Sequence, residues 1–293
     1  MFSILNSWAA IRRLRCFARP FGRIFLKSLS ALKLFVVLII SLPCSRLAAQ
    51  TNQSTTPALA WQNNAASRAE RLFAEAQQRF RAAPTNAEAA WQFGRAAFDQ
   101  AELATDDSQR AAIAEKGVAA CRQTIARDSK VAPAHYYLAL NLGQLARTKT
   151  LGALRLVKQM EAEFKTAIAL DPGFDYAGAQ RSLGLLYFEA PGWPTSIGSR
   201  AHARFHLRKA AELAPAYPEN RLCLLEAYLA WGEKKTARAE LKTTEEMLKK
   251  ARDLFAGEQG TANWEDWEKR WAKIKVKATE PPTPLKAPRE KSS

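Results

Sequence analysis

Three histidines and four cysteines in 293 residues leave little material for metal or redox chemistry. His202 and His206 stand four apart on a helical pattern, a spacing that can present two ligands to one ion. No third ligand lies nearby in sequence, and a zinc site needs three or four, so no metal is expected. His135 stands apart and is expected to pack against neighbouring helices. The chain also lacks a Ser/His/Asp arrangement, a glycine-rich phosphate cradle and a paired-carboxylate motif. No catalytic residue and no cofactor are therefore expected, and the reading is non-enzymatic. A basic stripe interleaved with aromatics, the mark of a nucleic-acid binder, is absent too.

Residues 1–49 lack any acidic residue. They carry eight basic ones (Arg12, Arg13, Arg15, Arg19, Arg23, Lys27, Lys33 and Arg46). A short apolar run, Leu34-Phe35-Val36-Val37-Leu38-Ile39-Ile40, is followed by Leu47-Ala48-Ala49 before Gln50. A basic segment, an apolar core and a small-residue cleavage site in that order read as an export signal, cleaved after Ala49. The run is shorter than the ~20 residues of a spanning helix. The expected location is periplasmic or secreted; the alternatives are a membrane anchor formed by residues 34–43 and, ranked lower, a mitochondrial presequence. Pro43 before Cys44 does not suit a lipidation site. Removing 1–49 leaves 36 basic against 28 acidic residues, so the net charge falls from +16 to +8. So mild a charge is that of a solvated surface, not of a polyanion binder.

What is present is a repeat. Ala120-Cys121-Arg122-Gln123-Thr124-Ile125-Ala126-Arg127-Asp128-Ser129, Glu163 to Pro172, and His206 to Pro215 align without gaps. Ser129, Pro172 and Pro215 recur at intervals of 43 residues, and Pro84 lies 45 before Ser129. Each marks a helix end, because proline cannot continue the hydrogen-bond ladder. Behind each mark a new helix begins: Phe93-Gly94 with Ala97, Leu138-Ala139 with Leu142, Leu183-Gly184 with Tyr187, and Leu224-Leu225 with Tyr228. Apolar residues four apart share a helix face. Gly94, Ala139 and Gly184 are small enough for a second helix to approach. The fold class is all-α: a solenoid of about four helix hairpins with a capping helix at each end. Cys121 and Cys223 lie more than one hairpin apart, and repeats touch mainly their neighbours, so two buried free thiols are expected.

These residues resemble the tetratricopeptide repeat, with its Trp-x-x-Leu-Gly-x-x-Tyr, Ala-x-x-x-Phe-x-x-Ala and closing Pro. His135 stands where that family prefers Trp, and Ser129 where it prefers Pro. The step is longer than the family's 34 residues, implying hairpins longer by about one turn per helix. Residues 183–198, Leu183-Gly184-Leu185-Leu186-Tyr187 through Pro191-Gly192-Trp193-Pro194-Thr195-Ser196-Ile197-Gly198, also resemble the loop of exported bacterial repeat proteins such as the T-component of TRAP-type transporters. That resemblance implies an accessory protein working beside a solute-binding protein. Trp193, between two prolines, is expected to close the end of the third hairpin.

The organisation read from the chain is a signal at 1–49, a flexible lead-in at 50–64 and a repeat domain at 65–251. An amphipathic helix at 263–277 and a disordered tail at 278–293 complete it. In the repeat family the first helix of each hairpin lines an inner groove. Extrapolating the periodicity puts Trp91, Arg95, Phe98, Tyr136, Leu140, Arg181, Leu185, Phe188, Glu226 and Leu229 there, or buried between repeats. The family's carboxylate clamp of Lys and Asn is missing. The groove is expected to take a protein segment or an apolar small ligand, with the membrane involved only through an uncleaved signal. Trp264, Trp267, Trp271 and Ile274 form one stripe on the last helix. That stripe is expected to dock on the array, either as a cap near Tyr228 and Trp231 or inside the groove.

Overall fold

A computed structural model of the chain describes residues 57–149, 152–256 and 258–280. The signal-like segment and the tail beyond 280 lie outside the described residues. Within them the chain forms eleven helices and no strand. These are α1 (Pro57–Ala82), α2 (Ala87–Glu102), α3 (Asp107–Arg127), α4 (Ala132–Arg147), α5 (Ala153–Leu170) and α6 (Phe174–Glu189). They continue with α7 (Arg200–Leu213), α8 (Pro218–Ala230), α9 (Lys234–Ala239), α10 (Leu241–Leu254) and α11 (Glu258–Thr279).

The punctuation is local chemistry. Pro84, Ser129, Pro172 and Pro215 each fall two residues past a helix end. The following helices start on side-chain caps or on proline in the first turn. Asn86 accepts from the Ala89 N–H at 2.9 Å, and Asp106 from the Gln109 N–H at 2.8 Å. Ser199 accepts from the His202 N–H, while α4 and α8 carry Pro133 and Pro218 in their first turns. Consecutive helices pack as hairpins: α2 with α3, α4 with α5, and α6 with α7. The fourth hairpin pairs α8 with a second helix that breaks at Glu240 into α9 and α10.

Small residues set the hairpin spacing. A Cβ on Gly94 would overlap Cys121 Sγ, and one on Gly184 would meet Leu207 at 2.8 Å. Cys121, Phe164 and Leu207 occupy matching repeat positions, and each is 0% exposed. Cys121 and Cys223 are free and buried. Burial pushes the Cys121 thiol up to about 12, reinforced by Glu163.

Three elements differ from the sequence reading. α1 begins at Pro57, inside the expected lead-in, because proline suits a first helical position. α11 begins at Glu258, before Asn263, and runs through Gly260; one glycine costs a helix only about 1 kcal/mol. Trp193 does not close its hairpin: it is 88% exposed. The 191–198 loop is held by its backbone instead. The Gly198 N–H donates to the Pro191 carbonyl at 2.8 Å and the Ser199 N–H to the Tyr187 carbonyl at 2.9 Å, so no ring is needed.

α11 docks on the array. It packs against α8 and α9 much as α8 packs against α6 and α7, so it stands where the first helix of a fifth hairpin would. Trp264, Trp267, Trp271 and Ile274 are buried, with Trp267 edge-on to Tyr217 and Phe255.

Candidate binding surface

The first helices of the hairpins bring together a chain of aromatic and charged side chains. On α2, Trp91 stacks on Tyr137 of α4, with centroids 5.8 Å apart and planes 4° apart. Phe174, opening α6, meets Trp91, Tyr136 and Tyr137 edge-on. Directly after it, Asp175, Tyr176 and Ala177 have left-handed backbones, φ 53°, 54° and 60°. That conformation costs an L-residue about 1–2 kcal/mol. Three successive non-glycine residues hold it because the surroundings over-determine it.

Those surroundings are specific. Tyr136 Oη donates to Asp175 Oδ2 at 2.8 Å. Arg181, fully buried, donates to Asn220 Oδ1 at 2.8 Å and to the Tyr176 carbonyl at 3.3 Å, and lies 3.7 Å from Asp175. Asn220 Nδ2 also donates to the Tyr176 carbonyl, at 3.0 Å. The Tyr176 ring stacks on Tyr217 at 4.7 Å, and the Arg181 guanidinium sits 5.2 Å from the same Tyr217 ring. The network continues into α11. Trp267 Nε1 donates to Glu219 at 2.7 Å, and Arg270 pairs with Glu219 at 2.6 Å and Glu226 at 2.9 Å. Buried charges survive only when paired in this way.

Burial raises the Asp175 carboxyl above its usual range, opposed by Arg181, the Tyr136 hydrogen bond and Arg95. Asp99, 3.9 Å from Arg95, is pushed further, to about 7. Its side chain is 31% exposed, yet withdrawal from water is the main cause; Arg95 opposes it, and Asp175 and Glu102 reinforce it.

Of the ten groove residues read from periodicity, Trp91, Arg95, Phe188, Glu226 and Leu229 are half-buried. Phe98, Tyr136, Leu140, Arg181 and Leu185 are buried. The structure joins Tyr136 to Arg181 through Asp175, and Glu226 to the tryptophan helix through Arg270. Periodicity does not single out Asp99, Tyr137, Asp175, Glu219, Asn220 or Arg270. Asp99 is within reach of it, one turn beyond Arg95 on the same face. Asp175 and Asn220 have no periodic signal, since a left-handed turn and an amide bridging two hairpins are tertiary facts. His135 is buried, against Glu163 and the Ser129 carbonyl. His206 Nδ1 lies 2.7 Å from Gln180 Oε1. Among the described residues no group of three or more His, Cys, Asp or Glu could hold a metal.

Comparison with solved structures places this architecture. A thermophilic TPR protein of Thermus thermophilus superposes with a TM-score of 0.53 at 19% identity, over 75% of this chain and 96% of that one. This chain has a tetratricopeptide-like repeat fold. Two structures of MamA align with TM-scores of 0.44 and 0.43 at 18% and 16% identity, covering 62% and 68% of this chain and 89% and 96% of theirs. A family model described as regulator of microtubule dynamics protein 1-3 matches residues 58–190, less than half of the chain. No curated protein matches by sequence.

Proposed function

We propose that the protein is an exported, non-enzymatic repeat scaffold, periplasmic or secreted, that holds a protein segment on the inner face of its first helices. The observation that carries this is the strip Trp91, Arg95 and Asp99. These residues lie one turn apart on α2 and are partly exposed. Behind them stands the rigid Tyr136–Asp175–Arg181–Asn220 network. An aromatic platform beside a guanidinium and a carboxylate suits an extended segment with one apolar and one charged anchor, and a preorganised surface spares the ordering cost of binding. Cross-linking and mass spectrometry of the protein isolated from its native envelope tests both halves. One protein should recur, with cross-links at the strip. Trp91→Ala with Arg95→Glu should abolish its capture; the Trp91–Tyr137 stack and the Arg95–Asp99 pair go with them, so the melting temperature should fall and an unchanged helical spectrum is the check that the variant stays folded. Cross-links confined to other faces would overturn the binding reading, and intact Met1 in a cytosolic fraction the export reading.

A second reading, an accessory protein of a solute transporter, rests on the 191–198 loop, which presents Trp193 almost wholly to solvent. Under it, the retained partner is a solute-binding protein, and Trp193→Ala releases it while the α2 variants do not.

A further inference from the structure

α11 packs on α8 and α9 and stands off α10. Between α10 and α11 remains a cleft of about 300 Å³. Its apolar wall is Trp264, Trp267 and Trp271 from α11 with Leu248 from α10. The tryptophan stripe faces two ways at once: it seals α11 onto α8, and its outer edges face the cleft, where α10 contributes Leu248. Two of the indole hydrogen-bond donors are already engaged within the protein. Trp264 Nε1 donates to the Phe255 carbonyl at 3.1 Å and Trp267 Nε1 to Glu219, so these rings present carbon.

The mouth of the cleft is built from charge. Arg252 pairs with Glu268 across one end, and Glu245 with Lys275 across the other, at 3.9 Å. The same cations lie over the rings, Arg252 4.8 Å from Trp264 and Lys275 5.5 Å from Trp271. Both pairs are about half exposed, so they are weak straps that a ligand can displace. Between them projects Lys249, exposed and outside either pair. Three cations face two carboxylates, and the excess positive charge sits over the apolar wall. Trp264 and Trp271 are seven residues apart, about 10 Å of helix. The volume lies at the lower end of small-ligand sites, which are mostly apolar with a few placed polar groups.

We propose that this cleft binds a small aromatic acid: one or two rings lying against Trp264, Trp271 and Leu248, with a single anionic group on Lys249. The site is separate from the α2 strip and stands or falls independently of it. The probes are 1-anilinonaphthalene-8-sulfonate and its neutral counterpart N-phenyl-1-naphthylamine, titrated by fluorescence into the folded full-length protein. Both should bind saturably with one site. Lys249→Glu, a surface change, should weaken the sulfonate about tenfold, the effect of reversing one nearby charge, and leave the neutral probe unchanged. Leu248→Trp, checked for an unchanged helical spectrum, should weaken both by filling the cleft. Failure of either probe to bind the parent protein overturns the proposal. So does a Lys249→Glu variant that keeps its sulfonate affinity within about twofold, well under the tenfold expected of that charge.

Discussion

At Gly94 the packing leaves no room for even a methyl group. An added Cβ would run into Cys121 Sγ, and cysteine is too short to swing away. Gly94→Ala should destabilise the protein by about 1–3 kcal/mol, the usual penalty for overpacking. Adding Cys121→Ala should return part of that loss, so the double variant will be more stable than the two single effects summed. Urea denaturation of the four proteins measures it, and strict additivity would count against the contact. Trp193 is the opposite case. At 88% exposed it has almost no packing to lose, so Trp193→Ala should move the unfolding free energy by less than about 0.5 kcal/mol. A loss of several kcal/mol would mean that the ring is buried in solution.

Among the elements, α11 best separates strong contacts from weak ones. Two arginines pair with glutamates where it meets the array. Arg270 has 3% of its side chain exposed and meets Glu219, Glu226 and the Cys223 sulfur. Arg252 and Glu268 are 59% and 53% exposed. Arg270→Ala strands the buried Glu219 carboxylate and should cost about 3–5 kcal/mol. Arg252→Ala removes a solvated pair and should cost no more than about 1 kcal/mol. Thermal and urea unfolding of the two variants side by side settles whether the helix is held by the buried cluster; equal effects would say it is not. The same contrast explains what periodicity could reveal here. The Trp264–Trp267–Trp271 stripe announces a buried face, because burial demands apolar residues every three or four positions. The choice of neighbour depends on Glu219 and Glu226, which lie 51 and 44 residues before Arg270.

Across the whole molecule, two partly buried titratable groups act in opposite directions on stability. Asp99 is raised from 3.8 to about 7, chiefly by burial. Between those values the folded chain keeps a proton that the unfolded chain has released, so the stability Asp99 contributes is present at low pH and is lost as pH rises toward 7. His206 is lowered from 6.5 to about 4, again chiefly by burial, with His202 and Lys165 adding to it. There the unfolded chain binds the extra proton, so stability is lost as pH falls from 6.5 toward 4. Asp99→Asn should remove the first slope and His206→Gln the second, read from urea midpoints between about pH 4.5 and 7.5. An Asp99→Asn variant with the parent's pH profile would show that its carboxyl titrates normally.

The repeat frame was legible from sequence because its determinants are local. A proline or serine two residues past each helix, capping side chains, and small residues opposite bulky ones all leave a periodic trace. The marks at Pro84, Ser129, Pro172 and Pro215 stand just past the helix ends at Ala82, Arg127, Leu170 and Leu213. The expected groove was legible only as a list of positions, five of them buried and five half-buried in the structure, since a helix period names a face without saying what covers it. Tertiary structure alone decided three things: the left-handed turn at Asp175–Ala177, the bridging of hairpins by Arg181 and Asn220, and the docking of α11 onto Glu219. Each depends on pairing charged or polar groups 39 to 51 residues apart in the chain. Such pairs carry no periodic signal, because what fixes them is the cost of burying a charge without its partner.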